Sequence, residues 1–316
     1  GQQVTGITAN EDGRLFVNFP KWRDGVQYDV GEVIDANTLN AFPNEQWNSW
    51  KIGDDLNDNQ FISVQSVVAH NGHLYVLDTA NPKFGGVLAS PRIFVFNIDD
   101  KSLVRKFTFE EGVYKPKSYF NDLRIHQQRG KIYITDSGHA GVVILDIKSG
   151  SAKRVLDDSP YTKAEVDHLK INDKVFEIEV HSDGIALDAK NDILYVHALT
   201  GYTLYGFSLD ALENEESPKH VFTLKTAAPD GMILDEAGNL YFADLENHKI
   251  QYVEPSRETI KTLAEGNGIS WGDTFTIHEC DLYFTNARIH ESRGVDISDM
   301  DYTVMKTQLA SCDKEE

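Results

Sequence analysis

The sequence predicts an all-β protein, a six-bladed β-propeller of mostly four-stranded blades in one domain spanning residues 1–316. Three observations support this prediction. A strand–turn–strand unit occurs six times, each copy is followed by further alternation of apolar and polar residues, and long helical periodicity is scarce. The six copies are centred on the aromatic residues Phe16, Tyr75, Tyr133, Tyr195, Tyr241 and Tyr283.

The clearest copy of the unit spans residues 229–244, where Gly238 lies in a tight turn between two alternating strands. Third strands follow, for example at residues 92–96 and 142–145, and outer fourth strands are predicted at residues 103–109, 152–156, 220–224 and 259–263. We expect loops at residues 42–60 and 81–90. One short helix is expected at residues 159–169, with Ser159 as N-cap and Pro160 in its first position. Pairing of the N- and C-terminal strands is expected to close the ring.

The charge balance limits the classes of partner. The chain has 30 basic and 50 acidic residues, a net charge of −20, which argues against nucleic acid and anionic membrane surfaces as partners. The net negative charge suits small cationic ligands or metal ions as partners. No apolar run approaches the length of a membrane span.

Two features bear on location. Cys280 and Cys312 could form one disulfide in an oxidising compartment or remain two free thiols, and the sequence leaves both open. The chain begins at Gly1 without a signal-like segment, as a mature chain or one with its export signal removed would. We expect a secreted or periplasmic protein, and no pattern indicates an oligomeric state.

A polar residue opens the first strand of every repeat, and the first strands of a propeller line its central channel. These six residues, here called the collar, are predicted to form a ring at one mouth of the channel: Thr5, Gln65, Asn121, Asp183, Asp230 and Asp273. Strand alternation places an apolar waist one layer deeper, made of Ile7, Val67, Leu123, Ile185, Met232 and Phe275. An apolar cavity with a few converging polar groups is typical of a small-molecule site.

Three aspartates in one ring repel each other, so either one takes a proton or a cation lies between them. Asn121, Asp183 and Asp230 supply the hard oxygen ligands that calcium or magnesium prefers. Asp183 and Asp230 are the candidate catalytic residues. The candidate ligand contacts are Gln65, Asn121, Asp273 and Phe275, and Thr5 is expected only to line the channel.

Several of these candidate residues, and other polar residues, also have a purely structural interpretation. The pairs Asp183-Gly184 and Asp230-Gly231 are also ordinary turn formers. Three aspartates after second strands are expected to fix blade geometry, namely Asp78, Asp136 and Asp244. His139 or His181 could act as a general base near the channel mouth, although a histidine in a loop is usually just solvated.

Several motifs together resemble the Yellow/major royal jelly protein family, in particular its bacterial members described as dopachrome-tautomerase-related. They are GRLFVNFPKW at residues 13–22, LYVLDT at 74–79, FNDLR at 120–124, YITDSG at 133–138 and WGDTF at 271–275. The likeness extends in order from about residue 4 to residue 288. It implies a six-bladed propeller. Because some secreted insect relatives bind biogenic amines in the channel, it also implies a small cationic amine as ligand.

A more distant resemblance is to the gluconolactonase/regucalcin propellers, which hold a divalent cation at the channel mouth. Their metal-binding signature is similar to residues 229–231 and 182–184, and residues 120–122 resemble a substrate-side element. The glutamate that this family has in its first blade is absent from residues 3–5, and Asp273 could replace its charge.

Three functions therefore compete. The leading one is a small-molecule-binding propeller. The second is a divalent-metal-dependent hydrolase of a lactone or ester, in which the cation polarises the carbonyl and an aspartate or metal-bound water moves the proton. The third is a non-catalytic interaction scaffold, which has no need of converging acids.

Overall fold

Six antiparallel sheets surround one axis in the computed structural model, which describes residues 1–296 and 299–312. The first strand of each sheet contacts the first strand of the next, and the first strand of the sixth sheet contacts that of the first. The predicted six-bladed β-propeller is confirmed. Within the described residues, five blades have four strands and the sixth has three.

Each blade is an antiparallel meander whose strands follow in chain order. Blade 1 contains β1 (Gly6–Ala9), β2 (Leu15–Asn18), β3 (Val30–Asp35) and β4 (Thr38–Ala41). Blade 2 contains β5 (Val64–His70), β6 (His73–Asp78), β7 (Arg92–Asn97) and β8 (Leu103–Thr108). Blade 3 contains β9 (Phe120–His126), β10 (Lys131–Asp136), β11 (Gly141–Asp146) and β12 (Ala152–Val155).

A separate hairpin between blades 3 and 4 consists of β13 (His168–Ile171) and β14 (Lys174–Glu177). Blade 4 contains β15 (Ser182–Asp188), β16 (Ile193–Ala198), β17 (Thr203–Ser208) and β18 (Phe222–Lys225). Blade 5 contains β19 (Met232–Leu234), β20 (Leu240–Asp244), β21 (Lys249–Val253) and β22 (Ile260–Glu265). Blade 6 contains β23 (Gly272–His278), β24 (Asp281–Asn286) and β25 (Thr303–Gln308). Among the described residues, one helix, α1 (Leu209–Asn214), and short 3-10 turns at Pro82–Phe84 and Ile289–Glu291 connect these strands.

The core consists of apolar clusters between neighbouring blades. Phe16, Phe42 and Phe96 meet edge to face between blades 1 and 2, and Tyr133 packs with Leu194 between blades 3 and 4. Apolar residues from both faces of the sheets are therefore removed from water, which is the main stabilising contribution in such a fold. The predicted outer strands agree with β8, β12, β18 and β22 to within two residues.

The helix predicted at residues 159–169 is wrong. The Ser159 hydroxyl accepts the Tyr161 amide, and the Lys163 amide donates to the Ser159 carbonyl, so a single turn forms and then ends. Tyr161 packs on Tyr205 and Phe207 of blade 4, and the chain continues into β13. Ser159 does cap this turn, as the sequence predicted, but no amphipathic pattern follows it that would stabilise further helical turns.

The predicted closure by pairing of terminal strands is also wrong. In the described part of the chain, β1 pairs with β2 and β25 pairs with β24. Blades 6 and 1 are joined instead by side chains: the Thr285 hydroxyl donates to the Thr5 carbonyl at 2.5 Å, and the Gln3 amide to the Ala287 carbonyl at 2.7 Å.

Cys280 and Cys312 form a disulfide, which decides the alternative that the sequence left open. The bond ties the segment after β25 to the turn between β23 and β24. A disulfide is typical of proteins from oxidising compartments. Among the described residues, no helix is long and apolar enough to cross a membrane.

Candidate functional site

The collar lines a cavity of about 480 Å³ at one mouth of the channel, here called the collar cavity. Five predicted site residues lie together in its wall: Gln65, Asn121, Asp183, Asp230 and Asp273. Each belongs to a different blade and each is buried. Thr5 is buried but does not line this cavity, and Phe275 lines a second cavity of about 350 Å³ on the far side of the waist.

The two Asp-Gly pairs owe their glycines to the contact between blades and not to turns. Gly184 lies within β15, and neither Gly184 nor Gly231 has a positive φ. A Cβ atom on Gly184 would lie 2.7 Å from the carbonyl oxygen of Asp230, and one on Gly231 would lie 2.7 Å from that of Asp273. The missing side chains let the first strands of blades 4, 5 and 6 approach closely, which brings the three aspartates to one point.

A directed chain of hydrogen bonds passes around the collar. The Trp22 indole donates to the Tyr119 hydroxyl at 2.6 Å, and that hydroxyl donates to Gln65 Oε1 at 2.7 Å. Gln65 Nε2 donates to Asn121 Oδ1 at 2.8 Å, and the Asn121 amide donates in turn to Asp183. Because each of these side chains donates a hydrogen bond to the next, the side-chain orientations on this half of the collar are fixed before any ligand arrives.

On the other half, Asp183 and Asp230 share a hydrogen bond, and the Trp271 indole donates to Asp230 Oδ2 at 2.6 Å. Burial, followed by the charge of Asp230, raises the pKa of Asp183 well above its usual value. Burial raises the pKa of Asp230 to about 6, against the Trp271 and Asp183 hydrogen bonds that lower it. The two carboxyl groups therefore titrate as a coupled pair, and burial keeps the pKa values of both above the usual range.

Asp273 is the collar aspartate with the fewest partners. Only 5% of it is exposed. Among the described residues its carboxylate accepts one long hydrogen bond, from the Thr274 hydroxyl to Oδ1 at 3.3 Å, and Oδ2 has no hydrogen-bond donor. Burial, then the charges of Asp230 and Asp183, raise its pKa well above the usual value. An almost buried carboxylate with an open oxygen facing a cavity favours a cationic ligand.

Aromatic residues that the sequence analysis missed form the cavity walls. Phe84 stacks against Tyr119 with 4.9 Å between ring centroids and against Trp22 with 5.6 Å, although 61% of Phe84 is exposed. Opposite lies Phe176 of β14, whose ring meets Trp271 edge to face at 6.0 Å. Trp22 and Phe84 come from the loops between the second and third strands of blades 1 and 2, and Phe176 comes from the hairpin between blades 3 and 4.

The donor set for a divalent cation consists of Asn121, Asp183 and Asp230, whose side chains are hydrogen-bonded to one another. Their oxygens suit calcium or magnesium, with the rest of the coordination sphere left to water. In the described chain, however, no cluster of three or more His, Cys, Asp or Glu residues is arranged to hold a metal ion. For a divalent cation the protein therefore provides the carboxylates of Asp183 and Asp230 and the side-chain amide of Asn121.

Neither predicted histidine lines the collar cavity. His139 lies 3.7 Å from Asp158, and His181 accepts the Ala164 amide. Burial lowers the pKa of His181, so this histidine is predominantly neutral at pH 7.

The aspartates that follow second strands have the structural role predicted. Asp78 accepts the Ile62 and Ser63 amides and pairs with Arg92 at 2.6 Å. Asp136 likewise accepts the Tyr119 amide and pairs with Arg154, and Asp244 accepts hydrogen bonds from Asn247.

The sequence profile of the major royal jelly protein family matches residues 62–315, well over half of the chain. The chain belongs to the major royal jelly protein family. This confirms the family that the motifs indicated, and it places the collar of blades 2 to 6 within the part that the family shares. No curated protein shows significant sequence similarity to this chain.

Solved structures similar to this royal jelly family member are propeller proteins of several activities. A luciferin-regenerating enzyme is 14% identical, with 96% of this chain and 91% of that chain covered and a TM-score of 0.61. A gluconolactonase from Xanthomonas campestris is 14% identical, with coverage of 90% and 83% and a TM-score of 0.55. Virginiamycin B lyase from Staphylococcus aureus is 13% identical, with coverage of 90% and 77% and a TM-score of 0.53. Identities this low support the fold alone.

Proposed function

We propose that this protein binds a small cationic amine in the collar cavity. The observation that carries the proposal is the open carboxylate oxygen of Asp273. This residue is only 5% exposed and lies beside Asp183 and Asp230 in an aromatic-walled cavity. An ammonium group supplies the donors that Asp273 lacks. The adjacent rings add attraction between the cation and their π faces.

The electrostatics of the collar favour the same ligand. Three carboxyl groups are held together without a cationic side chain among the causes of their pKa shifts. Burying charge without a counterion is costly, and a bound cation removes that cost. The protein therefore gains more from a cation here than from a neutral molecule of the same shape.

Isothermal titration calorimetry with 2-phenylethylamine tests the proposal. We expect Asp273→Asn to weaken binding about 10- to 100-fold, because a charge-assisted hydrogen bond to a buried carboxylate is lost. Asp55→Asn makes the same change of charge at an exposed position that lines none of the cavities described above, and it should bind as the wild type does. Equal binding by Asp273→Asn and wild type would refute the assignment of the site.

A divalent-metal-dependent hydrolase is the second candidate, supported by the convergence of Asn121, Asp183 and Asp230. These residues would hold calcium or magnesium, and the cation would supply polarisation of a lactone or ester carbonyl. In this function Asp273, with one oxygen open, would accept a proton. The similar gluconolactonase supports a propeller of this shape and no more.

The two candidates differ in what stabilises the protein. If calcium or magnesium raises the Tm of the wild type but not of Asp183→Asn, and amines have no effect, the metal-dependent function is favoured. If neither amines nor metals raise the Tm, the third candidate, an interaction scaffold, takes their place. We also propose that the protein is secreted or periplasmic, on the support of its disulfide.

A further inference from the structure

The rim of the collar cavity has the opposite charge to its floor. Arg23 and Arg293 both line the cavity near solvent, and neither forms an ion pair within the described residues. Glu179 is the acidic residue on the same rim. Two guanidinium groups and one carboxylate give the rim a net positive charge, whereas Asp183, Asp230 and Asp273 make the floor acidic.

Arg293 is held at the rim in a defined place. Its guanidinium lies over the Phe176 ring, 4.6 Å from the centroid, and no hydrogen bond of its side chain to another described residue is present. Its donors therefore remain available to a ligand. Arg23 supports the neighbouring loop, because its Nη1 donates to the carbonyls of Ser292 and Val295 at 3.4 Å each.

A continuous set of contacts connects rim and floor. Arg293 stacks on Phe176, Phe176 contacts Trp271, and the Trp271 indole donates to Asp230. Two aromatic rings thus separate the free guanidinium of Arg293 from the carboxylate of Asp230 along this path. A ligand that satisfies both charges needs an apolar body about as long as an aromatic ring with a short chain.

We propose that the collar cavity selects a bipolar ligand, whose ammonium group and carboxylate lie at opposite ends of an apolar body. The ammonium group binds Asp273 at the floor, the body packs between the aromatic walls, and the carboxylate binds Arg293 at the rim. This inference rests on the proposed amine-binding function and adds the second charge. An α-amino acid does not meet the requirement, because its carboxylate next to the ammonium group would face the collar aspartates.

Three probes separate these possibilities in calorimetric titrations at pH 7.5 and low salt. 4-(2-Aminoethyl)benzoate has its charges at opposite ends, 2-phenylethylamine lacks the carboxylate, and phenylalanine has the carboxylate next to the ammonium group. We expect the first to bind about fivefold more tightly than the second, as a partly exposed ion pair provides. Phenylalanine should bind most weakly. High salt should reduce the advantage of the first probe.

Arg293→Gln should remove the advantage of the carboxylate and leave the affinity for 2-phenylethylamine within about twofold of wild type, because the rim pair is the only interaction lost. Arg105→Gln is the matched control. Arg105 also stacks on a phenylalanine, with 4.3 Å to the Phe107 ring, but it lies on the outer strand of blade 2 and lines no part of the cavity. This control should keep the advantage in full.

The possible failures are distinguishable. If 2-phenylethylamine binds and the added carboxylate gives no gain, the bipolar ligand is refuted and the amine site remains. If Arg293→Gln still binds 4-(2-aminoethyl)benzoate more tightly than 2-phenylethylamine, the role of Arg293 at the rim is refuted. If none of the three probes binds the wild type, both the amine site and the bipolar ligand are refuted.

Discussion

Replacing Asp230 with asparagine should stabilise the protein at pH 8, which is the opposite of what a structural aspartate would show. The pKa of Asp230 is raised from 3.8 to about 6 by burial. Above pH 7 the carboxylate is charged in both states, and the folded state bears a cost of about 3 kcal/mol. An asparagine retains the shape, can accept the Trp271 indole hydrogen bond with its oxygen, and can donate to Asp183.

The sign of the pH dependence follows from the raised pKa. As pH falls from about 6 towards 3.8, the folded protein takes up the proton before the unfolded chain does, so the cost declines and is absent below both values. Burial, followed by the charges of neighbouring collar aspartates, also raises the pKa values of Asp183 and Asp273. The difference in stability between Asp230→Asn and wild type should therefore be largest at pH 8 and close to zero near pH 4.

Thermal unfolding at pH 8 and pH 4 measures this difference. A gain of 3 kcal/mol corresponds to a rise in Tm of about 4 to 5 °C for a chain of 316 residues. The control is Asp235→Asn, five residues further along, where the carboxylate accepts the Asn239 amide at 2.7 Å and the Tyr241 hydroxyl at 2.9 Å. That variant should lose about 1–3 kcal/mol, because buried donors are left without an acceptor.

A lower Tm for Asp230→Asn than for wild type at pH 8 would refute the reasoning. It would mean that the hydrogen bonds accepted by the Asp230 carboxylate stabilise the fold by more than its burial costs. An equal gain at both pH values would show that the effect comes from packing and not from ionisation.

Two further predictions concern stability. Gly231→Ala should lose about 1–3 kcal/mol, because its Cβ would lie 2.7 Å from the Asp273 carbonyl oxygen and backbone would have to move; an unchanged Tm would contradict the close approach of blades 5 and 6. Reduction of the Cys280–Cys312 disulfide should lower the unfolding free energy by about 2–4 kcal/mol. Thermal scans with and without reductant, with a Cys280→Ser/Cys312→Ser variant insensitive to reductant as control, measure that loss.

The sequence was sufficient for the fold and for the collar, since both depend on a repeated local pattern. The first strands share one register, so the polar residue that opens the strand lines the collar cavity in blades 2 to 6, whereas Thr5 of blade 1 does not. The apolar waist and the structural aspartates follow from the same alternation. Phe275 shows the limit of this reasoning, because it shares the axis with the collar but faces a cavity on the other side of the waist.

The aromatic walls could not be predicted in the same way, because the loops of blades 1 and 2 and the hairpin between blades 3 and 4 place them. One signal was present. Residues 168–177 alternate on both sides of Asn172-Asp173, and both of these residues have the positive φ that a two-residue hairpin turn requires. That pattern predicts the β13–β14 hairpin, but its position over the channel depends on contacts with blade 5, such as the hydrogen bond between Asn172 and His248 at 2.9 Å.

The two halves of the collar differ in a way that bears on function. From Trp22 to Asn121 each polar group is satisfied by its neighbour, so this half is already organised without a ligand. On the other half, the charges of Asp230 and Asp183 disfavour a charge on Asp273, and Asp273 has an open oxygen. If the collar contributed only to stability, neutral side chains of the same size would serve better, because they avoid the cost of burying three carboxyl groups without a counterion.

Local destabilisation of this kind is expected at a site where a bound ligand compensates for it. The Tm of Asp230→Asn measures the stability that the buried carboxylate costs, and the affinity of Asp273→Asn for the amine measures what the collar contributes to binding.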